Sequence, residues 1–394
     1  MQWQRDAVRS SVVTRWRWTR RAVIGAIFVA LIAYGTVSRH VRAASLMVRF
    51  SSREASPRVA TIGECAVDEL ATELQLSGGE HTRARVYTPR GVAGPPGIVL
   101  LHGVHRLGVD EPRLQRFARA IASSGVVVYT PELAELRDYR VDLRSTETIG
   151  RAAQELSRRV GRMSVGVMGM SFAGGLSLLT AADPAWASDI SFVVGVGAHD
   201  DLGRVSRFFA TDAIDEPNGK SLRMHAHDYG ALVLVYAHID HLFLPDDAAI
   251  AKEAIRLWLW EDPGGARKSA ERLSPAGREK MALLFDHRED LLAADLLAIA
   301  RDSAAEMARV SPHGNLSGLR ANVYLLHGAG DTVIPPSETR WLARDAPEGS
   351  VKAALVSSAI QHVEIHGEPS ARQRWELVHF MALVLGECDA EVAR

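Results

Sequence analysis

From residue 97 onward the chain alternates short, mostly apolar runs with longer stretches of amphipathic spacing. Gly97–Gly103 (GIVLLHG), Gly125–Pro131 (GVVVYTP), the run from Ser164 into Gly169, Ser191–Ala198, Asn322–Asp331 (NVYLLHGAGD) and Lys352–Ser358 (KAALVSS) are of the first kind. Unbroken runs of this length predict strands buried on both faces. Between them, Glu111–Ser124 places Leu114, Phe117 and Ile121 on one helical face. Ser145–Val160 is helical in period, with a capping-box-like Ser145…Thr148 start. Upstream, Thr82–Thr88 (TRARVYT) alternates as a half-buried strand does, and residues 59–90 are expected to supply the first strands. The rhythm predicts an α/β domain with a mostly parallel central sheet and helices on both faces.

After Ala198 the pattern changes. Helical periodicities over 247–260, 275–285 and 290–310 dominate until Asn322. Residues 199–321 are therefore expected to form a helical insertion between two parts of the core, 59–198 and 322–394. It is rich in histidine: His225, His227, His238, His241 and His287. A metal site is conceivable there, but hydrogen-bonded histidines in a polar cap are the ordinary reading, and no metal is expected. Trp258, Leu259 and Trp260 suit the core of the insertion or the wall of a pocket.

The amino-terminal pattern is of a third kind. Arginines crowd residues 1–21, Ala22–Ser38 is uncharged, and Arg39, His40 and Arg42 follow. The uncharged run predicts a membrane-spanning signal-anchor helix over 22–38. The basic segment 1–21 would stay cytoplasmic and the rest would lie in the periplasm or outside the cell. Trp16 and Trp18 suit the membrane interface. A cleavable signal peptide and a buried core helix are the alternatives. Residues 39–58, with their Arg, Ser and Pro content, are expected to form a linker, so that a unit starting after residue 44 would fold alone.

Composition narrows the function. The 394 residues carry a formal net charge of −1, which argues against a general nucleic-acid surface. Neither a Walker-type loop nor a dinucleotide fingerprint is present, so no nucleotide cofactor is implied. The two cysteines, Cys65 and Cys388, form no C-x-x-C pair, and two thiols are the default.

The candidate chemistry centres on Ser171. The run VGVMGM ends at a glycine-containing turn, Ser171 follows, and FAGGLSLLTA opens a small-residue helix. A sharp turn there would present the serine hydroxyl to a substrate, and the helix start would offer free N–H groups to an oxyanion. The same serine would also serve as an ordinary helix cap. Asp331 and His362 follow two later apolar runs. The order Ser171, Asp331, His362, each just past a strand, resembles the α/β-hydrolase superfamily over roughly residues 82 to 388. The H-G-x signal at His102 and the H-G-x-x-D-x-x-x-P signal from His327 to Pro335 resemble its dienelactone-hydrolase and prolyl-peptidase-like branch. Ala173 departs from the glycine usual at that place.

The resemblance implies an α/β-hydrolase fold and a cofactor-free Ser-His-Asp triad. Ser171 would attack, His362 would take and return its proton, and Asp331 would orient the imidazole. The N–H groups of Val104 and Phe172 would hold the oxyanion. Asp200 and Asp201 are rival acids, and His366 is a rival base. His102 and His105 read as loop-shaping residues. The implied activity is hydrolysis of a small or medium acyl ester. A peptidase or acyltransferase on the same triad, or a silent membrane-tethered binding scaffold, is the alternative.

Overall fold

The computed structural model describes residues 34–51, 56–361, 364–365 and 369–390. Its centre is an eight-stranded sheet. The strands are β1 (Val67–Gln75), β2 (His81–Pro89), β3 (Gly97–Leu101), β4 (Val127–Pro131), β5 (Val165–Met170) and β6 (Ile190–Val196). The short hairpin β7 (Ala213–Asp215) and β8 (Ser221–Arg223) stands apart, and β9 (Asn322–Gly328) and β10 (Val351–Ser357) complete the sheet. The order is β1-β2-β4-β3-β5-β6-β9-β10. Pairings β1–β2 and β2–β4 are antiparallel; all others in the sheet are parallel. A second small hairpin joins β11 (Ile360–Gln361) to β12 (Glu364–Ile365).

Side-chain alternation divides the core into two layers. Val99, Leu101, Val165 and Val167 face one cluster, with α4 (Ala134–Arg137), α5 (Arg144–Val160) and α6 (Phe172–Ala182). Ile98, Leu100, Met168 and Val194 face the other, where α3 (Pro112–Ala122) and the carboxy-terminal α16 (Ala371–Ala390) pack. Burial on both faces is why these strands read as continuous apolar runs. The α/β expectation, mostly parallel with helices on both sides, is met.

The first helix of the described chain, α1 (residues 34–51), corrects the linker expected over 39–58. It is followed by α2 (Pro57–Ala60). Ala43 and Leu46 are wholly buried in the α3/α16 layer. Arg42 donates to the Ser124 carbonyl (2.9 Å) and to Asp389 (2.9 and 3.0 Å). Arg49 donates to the Ala60 carbonyl (2.8 Å) and to Ser124 Oγ (2.7 Å). The arginines that suggested a solvated linker are satisfied by partners distant in sequence. A unit cut after residue 44 would lose Arg42 and Ala43. Residues 22–33 of the expected span lie outside the described residues, and 34–38 belong to α1. Among the described residues no helix is long and apolar enough to cross a membrane.

Between β6 and β9 the chain runs through α7 (Leu202–Thr211), α8 (Asp228–Ala237), α9 (Ile239–Leu242), α10 (Pro245–Leu259), α11 (Pro263–Ala270), α12 (Pro275–Phe285), α13 (Ala293–Asp302) and α14 (Ala304–Arg309). This helical insertion extends the α5/α6 layer, and α15 (Ser337–Asp345) follows β9. Two expectations shift. The helix foreseen over 290–310 breaks at Ser303 into α13 and α14. Ser145 lies inside α5 and donates to Glu135 (3.2 Å) instead of capping.

Candidate active site

Ser171 sits between β5 and α6 with φ 55° and ψ −132°. A non-glycine residue at positive φ is strained, and such strain persists only where the surroundings impose it. Here they do. The Ser171 N–H donates to the Val196 carbonyl (2.7 Å), and the Ser171 carbonyl accepts from Gly174 N (2.9 Å). A Cβ on Gly169 would collide with the backbone of Ala173, and one on Gly174 would lie 2.7 Å from Ala198 Cβ. These glycines let the turn close tightly. The residue after the next, Ala173, is fully buried in the cap-side layer, so the departure from glycine there is accommodated.

The loop after β3 lies directly beside the serine. A Cβ on Gly103 would stand 3.2 Å from Ser171 Cβ. The Val104 carbonyl accepts from Tyr229 Oη (3.3 Å), which ties this loop to α8 of the insertion. Phe172 opens α6, so its N–H has no preceding helical carbonyl to bind. His102 is fixed within the loop: Nδ1 donates to the Gly103 carbonyl (2.7 Å) and Nε2 accepts from Leu133 N (2.9 Å). Burial pushes its pKa down to about 4, so it stays neutral. His105 accepts from Leu107 N (3.2 Å), and burial lowers its pKa too. Both shape the loop.

Asp331 follows β9 and is almost wholly buried. Its Oδ1 accepts from Val333 N (2.9 Å) and Ile334 N (3.0 Å), while Oδ2 lies 3.5 Å from His327 Nε2. His327 is held by the Ile334 carbonyl (2.9 Å) and Thr339 Oγ1 (2.7 Å). His362 falls between β11 and β12, and His366 just after β12. Both lie outside the described residues.

The rival acids are engaged elsewhere. Asp201 caps α7, accepting from Gly203 N (2.8 Å) and Arg204 N (3.2 Å). Asp200, wholly buried, accepts from Arg204 Nη2 (2.8 Å); Arg204 Nε also reaches Glu338 (2.5 Å).

Ser171 opens on a cavity of about 480 Å³ that also touches Val104 and Phe172. The insertion contributes Tyr229, Leu232, Trp258 and Leu259, and α4 is followed by a further wall residue, Tyr139. Trp258 stacks on Phe285 with centroids 4.1 Å apart, so it serves as both cap core and cavity wall. The sequence reading missed Tyr139, Tyr229 and Phe50. Tyr139 sits at φ 58°, a conformation no residue pattern announces. The cap histidines pair with neighbouring side chains: His225 with Asp212 (3.2 Å), His238 with Ser303 (3.1 Å) and His287 with Asp228 (2.7 Å), which His225 also approaches at 3.9 Å.

No protein-family model matches the sequence, and no curated protein is similar to it. Solved structures of hydrolases are similar to it at low identity. The esterase domain of a Rhodothermus marinus protein is 14% identical, with a TM-score of 0.43 over 81% of this chain and 96% of its own. The 2-hydroxy-6-oxo-6-phenylhexa-2,4-dienoate hydrolase of a Rhodococcus is 15% identical, with a TM-score of 0.43 over 82% of this chain and 100% of its own. Dipeptidyl peptidase 4 of Porphyromonas gingivalis is 12% identical, with a TM-score of 0.47 over 82% of this chain. The chain spans about a third of the length of that peptidase, 35%. These values are too low to carry a shared activity, and the reading of the site rests on its own geometry.

Proposed function

We propose that this protein is a serine hydrolase that cleaves an acyl ester through an acyl-enzyme on Ser171. The observation that carries the reading is the strained turn that holds Ser171 at φ 55°, at the floor of a cavity and beside the Gly103 loop. A plain helix cap needs no positive φ, and the Ser171 side chain makes no capping hydrogen bond. The N–H groups of Phe172 and Val104 would receive the oxyanion. Asp331, whose Oδ1 is fixed by two amides, would orient the base with its other oxygen. His362 is the proposed base because it follows the end of β10 more closely in sequence than His366 does. Attack forms the serine ester and expels the alcohol, which takes the proton from the histidine. Water then reverses these steps and releases the acid. An ester is preferred over a peptide because the cavity wall is largely apolar. We further propose that residues 22–38 anchor the chain, with the hydrolase domain outside the cytoplasm.

The test is labelling by a fluorophosphonate together with turnover of nitrophenyl esters. Ser171→Ala should abolish both, a loss on the order of 10⁴–10⁶ in rate, with unchanged thermal unfolding. His362→Ala should match it, and His366→Ala should not. Near wild-type turnover in Ser171→Ala would refute the reading.

A further inference from the structure

The cavity beside Ser171 is not confined to the cap. Two of its wall residues, Leu114 and Phe117, belong to the α3/α16 layer, and Phe50 and Met170 pack against that layer. Other wall residues, among them Tyr139, Leu232 and Leu259, belong to the opposite layer, as does Phe172. Met170 and Phe172 flank the serine and point to opposite layers. The cavity lining therefore spans the carboxyl edge of the sheet on both sides of Ser171, one arm on each side, and Glu111 and Arg113 line the α3 arm beside its apolar residues.

The arm away from the cap has an unusual wall. Phe50 comes from α1, which precedes the whole sheet in sequence. Its ring lies against Phe117 (centroids 4.7 Å, tilted 49°), and the Arg116 guanidinium sits over it at 5.5 Å. Its neighbour Arg49 is tied to the Ala60 carbonyl and to Ser124 Oγ, and Leu46, one turn back, is wholly buried. A half-buried aromatic ring on so firmly held a helix is a fixed surface.

We propose that Phe50 is a specificity-determining residue: it forms the wall of a second apolar subsite, so that the substrate is an ester with apolar groups on both sides of the scissile bond. This rests on the hydrolase reading above. A chain entering the arm should gain about fourfold in kcat/KM per buried methylene until it meets the ring, and nothing further beyond it.

Two ester series test this, one varying acyl length at a fixed alcohol and one varying alcohol length at a fixed acyl group. In one series only, Phe50→Ala should move the plateau to longer chains and Phe50→Trp to shorter ones. Fluorophosphonate labelling should persist in both variants, and turnover of the shortest ester should change less than that of the longest. Calorimetric binding of straight-chain alkanols to the full chain should show the same shifts in length preference. Plateaus that stay put in both variants, or move equally in both series, overturn the subsite. Absent labelling of the wild type with alkanol preferences still shifted by the Phe50 variants would refute the hydrolase reading and leave the subsite standing.

Discussion

Two buried carboxylates stand just past the carboxyl ends of neighbouring strands, Asp200 after β6 and Asp331 after β9, and they are held in opposite ways. Asp331 has one oxygen fixed by the amides of Val333 and Ile334. Asp200 shares the Arg204 guanidinium with Glu338, and Arg204 in turn stacks on Trp341 at 4.4 Å. Burial, with the Glu338 charge nearby, pushes the Asp200 pKa up to about 7 despite the arginine. Position past a strand end therefore does not fix how a carboxylate is held: backbone amides hold one oxygen of Asp331, whereas Asp200 accepts from the Arg204 guanidinium beside Glu338 of α15.

The comparison breaks most sharply on turnover. Asp331→Asn preserves an acceptor for both amides but cannot stabilise an imidazolium. It should lower kcat on the order of 10⁴-fold with the melting temperature nearly unchanged. Asp200→Asn should leave turnover close to wild type; the reverse pattern would exchange their roles. Next in size is Arg204→Met, which leaves Asp200 and Glu338 buried without their cation. It should cost about 3–5 kcal/mol in a denaturant titration at neutral pH. The smallest effect concerns pH. Folding raises the Asp200 pKa from 3.8 to about 7, so the native state holds a proton that the unfolded state releases. That contribution is complete below about pH 4 and fades as pH rises toward 7. Asp200→Asn should flatten the stability profile across that window, and an unchanged slope would show that the proton is held elsewhere.

The sheet was legible in the sequence because strands buried on both faces leave no room for polar residues: the runs ending at Leu101, Met170 and Gly328 announce themselves. Pro275–Phe285 was readable to the residue because Ser274 caps it and a proline opens it. The turn at Ser171 was legible from its glycines. What escaped depends on partners distant in sequence. α1 looked like a linker because Arg42 and Arg49 find acceptors at Ser124 and Asp389, and no local pattern encodes those meetings. The break at Ser303 is of the same kind, since its hydroxyl meets His238 across the cap. Phe50 as a cavity wall could not be seen before α1 was placed.

α1 has a consequence beyond the cavity it helps to enclose. Residues 34–51 form one helical rod about 25 Å long. On the proposed anchoring, its first turn belongs to the segment proposed to enter the bilayer, and on the proposed subsite its last turn would touch substrate. A domain on a slack tether samples every height its tether allows. One mounted on a rod is held near a single height, so molecules would be sorted by where they carry their ester before any contact with the pocket is made.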